Sequence, residues 1–236
     1  MIYFLHIHKS GGSTFVNLAL KNGEKLHKPN KNGNPYDDKD KIIPFWDYDK
    51  DKLLKFFNKK DFTFCANETC LKQMHIDSKI KYATVLRHPV DTILSCYHHE
   101  LHGSKSKVPF DKFFSMKILL ERNKLAMQKY EKNYFSGPLT YYLSGGRDRQ
   151  LAEERLRQFD AIIFLENYAN DVKIMEKIAG WKVLDINKNR IGTRRNTNAK
   201  KELSKDVYEK VCKDLEEDID FYVKMKSKIK DGKFIN

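Results

Sequence analysis

A single α/β domain, with a mostly parallel central sheet flanked by helices, is the fold class this sequence predicts. Three observations predict it. Short apolar runs of strand length recur at 2–7, 62–65, 82–86 and 161–165, rich in the aromatic and β-branched side chains of buried strands. Stretches with helical apolar spacing separate them, so strands alternate with helices. The 236 residues, 40% hydrophobic and without repeat or linker, fit one domain (1–236) that buries its core without disulfides.

The first strand runs into His8-Lys9-Ser10-Gly11-Gly12-Ser13-Thr14, and a helix opens at Phe15. A strand that turns through glycines into a helix leaves backbone N–H groups pointing one way, where the helix dipole favours an anion. Lys9 adds a full charge, and Ser10, Ser13 and Thr14 add hydroxyls. An ordinary glycine turn capped by Ser13 or Thr14 stays open as the alternative. The stretch is not the usual nucleotide loop, because Lys9 precedes the glycines.

Residues 21–41 read as a long polar loop, 42–46 as a short edge segment, and Leu53, Leu54, Phe56 and Phe57 as one face of a helix. Asp47, Asp49 and Asp51 imitate a calcium loop, but Lys52 and Asn58 stand where Gly and Glu are needed. The second strand ends at Ala66-Asn67-Glu68, and the third runs into Arg87-His88-Pro89. Pro89 suits the first position of a helix carrying Val90, Ile93, Leu94 and Tyr97. Helical patterns cover 110–131, 151–159 and 171–179, while 134–146 is aromatic and turn-rich. Residues 181–184 read as a last short strand and 187–201 as a basic loop. A long helix over 204–228 is expected to be capped by Ser204.

The formal charge of +13 favours anionic partners, although scattered lysine is also an ordinary solvated surface. Four cysteines form no disulfide framework in a chain this long. Cys65-x4-Cys70-x4-His75 fits no standard zinc spacing, and His98 with His102 lacks a third ligand, so no metal is expected. No run of eighteen apolar residues would span a membrane, and the start lacks signal-peptide features; the expectation is a cytoplasmic protein.

Ligands of parallel sheets bind beyond the carboxyl ends of the strands. Lys9, Glu68 and Arg87 all fall at such ends. Arg87 can hold a phosphate through two parallel hydrogen bonds, with Ser95 adding a hydroxyl; a structural ion pair is its alternative. Glu68 by itself reads as a carboxylate favoured by a helix start. His98 and His99 read as facing a substrate or simply as exposed.

Taken together, these residues resemble the sulfotransferases that use 3′-phosphoadenosine-5′-phosphosulfate (PAPS), nearest the heparan-type carbohydrate 2-O-sulfotransferases. His8 to Phe15 resembles that family's 5′-phosphosulfate loop, where a lysine precedes small residues and a Ser/Thr pair. Thr84-Val85-Leu86-Arg87-His88-Pro89, continuing to Ser95, resembles its 3′-phosphate motif. Weaker likenesses follow at Tyr141 to Gly145, at Phe159 to Glu166, and from Asn196 to Tyr222, so the similarity spans nearly the whole chain.

The resemblance implies a P-loop-like sulfotransferase fold, PAPS as donor cosubstrate and no metal. It assigns the donor's 5′ side to Lys9, Ser10, Gly11, Gly12, Ser13, Thr14 and Phe15, and the 3′-phosphate to Arg87 and Ser95. Arg194, Arg195 or Asn196 would close over it from the late loop. The general base would be Glu68 or His75, with Lys9 catalytic beside it; Ala66-Asn67 departs from the Gly-His pair of the hexuronic-acid enzymes. The acceptor would be a glycan, another small molecule or a peptide, anionic partners suiting the basic chain. Two other classes stand beside this one. A P-loop kinase or NTPase would want the lysine after the glycines and an Asp for magnesium. A nonenzymatic nucleic-acid binder would rest on charge alone, and nucleic acid is disfavoured as a partner.

Overall fold

The computed structural model describes residues 1–26, 48–60, 62–74, 77–101, 108–122, 135–184 and 198–235. His75, His102, Arg194, Arg195, Asn196 and the expected segment at 42–46 lie outside the described residues.

Among the described residues four strands build the sheet: β1 (Ile2–Leu5), β2 (Phe64–Asn67), β3 (Lys81–Leu86) and β4 (Ala161–Phe164). All their pairings are parallel and their order is β2-β1-β3-β4. Ile2 faces Phe64 and Lys81, and Leu5 faces Asn67 and Thr84. Leu86 faces Phe164. Parallel pairing in this register brings every carboxyl end to one edge. The chain leaves β1 for one neighbour and returns to place β3 on its other side, so the edge has a switch point between β1 and β3, where open α/β sheets bind ligands.

Continuous apolar runs become strands here because both faces are covered. On one face Tyr3, Leu5, Cys65, Tyr82, Leu86, Ile162 and Phe164 pack under α3 (Pro89–Glu100), α5 (Pro138–Ser144), α6 (Arg149–Leu156) and α11 (Glu216–Lys228). On the other, Phe4, Phe64, Ala83, Val85 and Ile163 meet Phe15 and Leu18 of α1 (Gly12–Lys21), together with Trp181 and Met175. Residues alternate between the two cores along each strand, as a pleated backbone requires. The remaining helices of the described residues are α2 (Lys50–Lys60), α4 (Phe110–Arg122), α7 (Tyr168–Asp171), α8 (Ile174–Ala179), α9 (Ala199–Glu202) and α10 (Lys205–Asp214). No helix among the described residues is long and apolar enough to cross a membrane.

Several elements differ from expectation, each for a local reason. Residues 181–184 form no strand: the Lys182 and Val183 N–H groups donate to Asn22 Oδ1 at 2.7 and 2.9 Å, and the Trp181 indole donates to Glu24. Side-chain acceptors have replaced a sheet partner. The aromatic stretch at 134–146 holds α5, whose first N–H groups at Leu139 and Thr140 donate to buried Asp218 at 3.0 and 2.9 Å. A carboxylate from far along the chain caps that helix, so no local signal announced it. The helix expected over 171–179 is broken, a 3-10 turn (Leu165–Asn167) leading into α7 and α8. The long C-terminal helix divides at Leu215 into α10 and α11, and Ser204 stands at the N-cap position without a side-chain cap hydrogen bond.

Beyond α11 a hairpin pairs β5 (Ile229–Lys230) with β6 (Lys233–Phe234). Its turn is Asp231-Gly232, with φ of 49° and 81°, the left-handed pair a two-residue hairpin demands. Gly232 O accepts the Ile162 N–H at 2.9 Å and Asp171 accepts the Phe164 N–H at 2.9 Å, so the exposed edge of β4 is covered.

Candidate active site

Between β1 and α1 the chain makes a tight reversal. Lys9 has φ 63° and Gly11 φ 92°, both left-handed. For lysine that conformation costs about 1–2 kcal/mol, so the surrounding contacts must hold it. The Ser10 N–H and hydroxyl both donate to Ile7 O, at 3.3 and 2.6 Å. Ser10 is therefore buried inside the turn and braces it, where the sequence reading had its hydroxyl facing a ligand. The Thr14 and Phe15 N–H groups return to Gly11 O at 3.0 and 3.3 Å. Phe15 points into the core, stacked on Phe4 with ring centroids 4.4 Å apart, so it supports the turn from beneath. Helix geometry leaves the N–H groups of Gly12 and Ser13 without an acceptor inside α1, at the positive end of its dipole.

Neither glycine is replaceable at no cost. A Cβ on Gly11 would come within 2.8 Å of Leu165 Cδ1, and one on Gly12 would collide with the His6 imidazole.

Across the switch point, Arg87 follows β3 and is 7% exposed. Its Nη1 donates to Lys9 O at 3.0 Å. Burial lowers its pKa from the usual guanidinium value, while Asp91 and Glu166 act in the opposite sense. His88 stands at the N-cap position of α3 with Pro89 in the first turn. Ser95, two turns along, is half-buried.

At the end of β2, Asn67 Oδ1 accepts from the Thr69 N–H and hydroxyl at 2.8 and 2.6 Å, and its Nδ2 donates to Tyr3 Oη at 3.3 Å. That local turn places half-exposed Glu68 against His6, with Oε1 3.4 Å from Nδ1.

The histidines separate. His98 pairs with Glu202 Oε2 at 3.0 Å, so a contact with α9 occupies the residue read as facing substrate. His99 lies edge-on to His8, ring centroids 5.8 Å apart, next to the Lys9 turn. His8 is pushed down to about 3, chiefly by burial and then by Lys9, His6 and His99, and its Nδ1 lies 4.0 Å from Cys96 Sγ. It is neutral at physiological pH.

The structure thus brings Lys9, Gly11, Gly12, Ser13, Thr14, Arg87 and Glu68 to one edge of the sheet. Glu166, just past β4, joins them: its two oxygens accept from the His88 N–H at 3.0 Å and the Tyr222 hydroxyl at 2.6 Å. Reading the sequence singled out neither His6 nor Glu166 as site residues. Both had a signal: His6 is a polar residue within the apolar run 2–7, and Glu166 directly follows the run 161–165. Among the described residues no group of three or more His, Cys, Asp or Glu side chains is arranged to hold a metal ion.

No protein-family model matches this chain, and no curated protein does. Among solved structures, that of a sulfotransferase from Alicyclobacillus acidocaldarius aligns with it at 14% identity over 95% of this chain and 85% of that one, with a TM-score of 0.43.

Proposed function

We propose that this chain transfers a sulfuryl group from PAPS to a hydroxyl or amine of an acceptor, a carbohydrate being the first class to try. One observation carries the reading. The two basic motifs, far apart in sequence, meet at the switch point of the sheet, with Arg87 Nη1 on the main-chain carbonyl of Lys9. The residues suit such a donor, which is anionic at both ends. Lys9 and the first N–H groups of α1 favour its 5′ side. Arg87, with Ser95 on the helix that follows, favours its 3′-phosphate.

The chemistry required of these residues is modest. The acceptor oxygen bonds to sulfur as the bond from sulfur to the bridging phosphate oxygen breaks, and the acceptor proton passes to a base. Lys9 and the N–H groups of Gly12 and Ser13 stabilise charge growing on the departing oxygen. Glu68, on the same edge and half-exposed, is the base we assign. PAPS as donor, the carbohydrate as acceptor and a cytoplasmic site of action all belong to this proposal.

The test is transfer of labelled sulfate from PAPS to a panel of glycans, phenols and amines, paired with calorimetry of adenosine 3′,5′-bisphosphate binding. The expected result is transfer by the native chain, a loss of roughly 10²–10³-fold in Lys9→Ala, and tighter binding of the bisphosphate than of adenosine 5′-monophosphate. Magnesium-dependent phosphoryl transfer from ATP, or affinity only for nucleic acid with a steep salt dependence, would overturn it.

A further inference from the structure

His6 is a polar ring sealed into an apolar wall, 3% exposed at the end of β1. Four contacts define its pose. Its N–H donates to Asn67 O at 2.9 Å, tying its backbone to the end of β2. Its ring stacks on Phe4, centroids 5.5 Å apart and planes 28° from parallel. Its Cδ2–Nε2 edge fills the space above Gly12 that a Cβ would need. Its remaining nitrogen, Nδ1, meets Glu68 Oε1 at 3.4 Å.

A ring held on one face by Phe4 and along one edge by Gly12 presents Nδ1 at a defined point, and here that point lies against the partly exposed carboxylate of Glu68. The same ring touches the first residue of α1, whose N–H groups form the anion-binding turn. His6 is therefore a rigid spacer between that turn and Glu68. Among charged and titratable groups, Glu68 faces it from the end of β2 and His8 couples to it electrostatically from its own turn.

We infer that His6 is a positioning residue for Glu68. It fixes the carboxylate relative to the first turn of α1, so that a proton acceptor and a leaving-group cradle keep one separation. The inference rests on the reading of Glu68 as the base. Misplacing a reacting group by about 1 Å can cost 10²-fold in rate, so the expected effect is large although His6 touches no reactant.

The test uses the full chain and four variants. In His6→Phe the ring volume and stacking stay while the nitrogen is lost. The expected result is a kcat lower by roughly 10–100-fold with KM for the donor unchanged. His6→Asn, whose amide nitrogen reproduces the place of Nδ1, restores most of the rate. His6→Gln, whose nitrogen falls near the place of Nε2, does not. An unchanged kcat in a folded His6→Phe, or equal behaviour of the Asn and Gln variants, overturns the inference. Glu68→Gln separates the two ideas. Full turnover in that variant sinks the assignment of the base and the catalytic half of this inference with it. Lost turnover there, beside an unaffected His6→Phe, leaves the base standing and removes His6 alone.

Discussion

Arg87 holds the backbone of Lys9: the guanidinium Nη1 donates to the Lys9 carbonyl at 3.0 Å, reaching from the end of β3 to the turn after β1. The carbonyl it grips belongs to a residue in the left-handed region, φ 63°. The basic residue of one motif thus stabilises the strained residue of the other, and replacing either is felt at both.

Arg87→Ala should lower the unfolding free energy by about 1.5–3 kcal/mol, the usual range for a hydrogen bond to a charged group that leaves its partner unsatisfied. It should also weaken adenosine 3′,5′-bisphosphate binding at least tenfold. Urea unfolding and calorimetry measure the two effects separately. Native stability in this variant would mean that the Lys9 turn holds its shape without the guanidinium.

Lys9→Gly and Lys9→Ala should lose turnover alike but differ in stability. Glycine accepts the left-handed conformation freely, whereas alanine keeps the strain, so the glycine variant should be more stable by about 1 kcal/mol. Thermal melts beside the transfer assay check this, and equal melting points would contradict it.

Gly12→Ala places a methyl group against the His6 ring. Because the ring is buried between Phe4 and Glu68, it has little room to yield. The expected cost is about 1–3 kcal/mol, typical of overpacking. Gly23 has φ 83° and nothing within 4 Å of a built Cβ, so Gly23→Ala isolates conformational strain at about 1 kcal/mol. A Gly12→Ala variant no less stable than Gly23→Ala would show that the ring moves.

Acid should destabilise the protein in two stages. His8, held down to about 3 by burial, stays neutral in the folded chain while the unfolded chain takes up a proton near 6.5. The unfolded state then binds more protons, so stability falls as pH drops from 6.5 toward 3. His88, also lowered by burial, acts in the same direction as pH drops below 6.5. Glu153 is held to about 2 by Lys224 and Lys228, so its contribution is lost only as pH falls from 4.5 toward 2. Melting temperatures between pH 7 and 5 therefore report the histidines, and His8→Asn should flatten that part of the curve. An unchanged slope would remove His8 from this role.

How much was legible differs from element to element. The four strands were readable because each is buried on both faces and so carries a largely apolar run. The Asp231-Gly232 hairpin was less legible: a two-residue signal between short charged strands is weak until β4 offers an edge to dock on. The α5 cap was not readable, since Asp218 lies in another helix, and neither was the fate of Trp181, decided by the Asn22 and Glu24 side chains. Ser10 shows a different limit. Its type announced a donor, but only the path of the turn decided that Ile7 O would accept its hydrogen bond.

Taken alone, the order of residues determined the alternation of strands and helices, the glycine turn behind Lys9 and the charged residues waiting at the strand ends. Those are local properties, set by apolar period and backbone sterics. Tertiary structure decided which strand ends became neighbours, that Arg87 would face Lys9, and that His6 would separate Gly12 from Glu68. Contacts of that kind depend on sheet order and register, which arise from packing two cores against one sheet and are written in no single stretch of the chain.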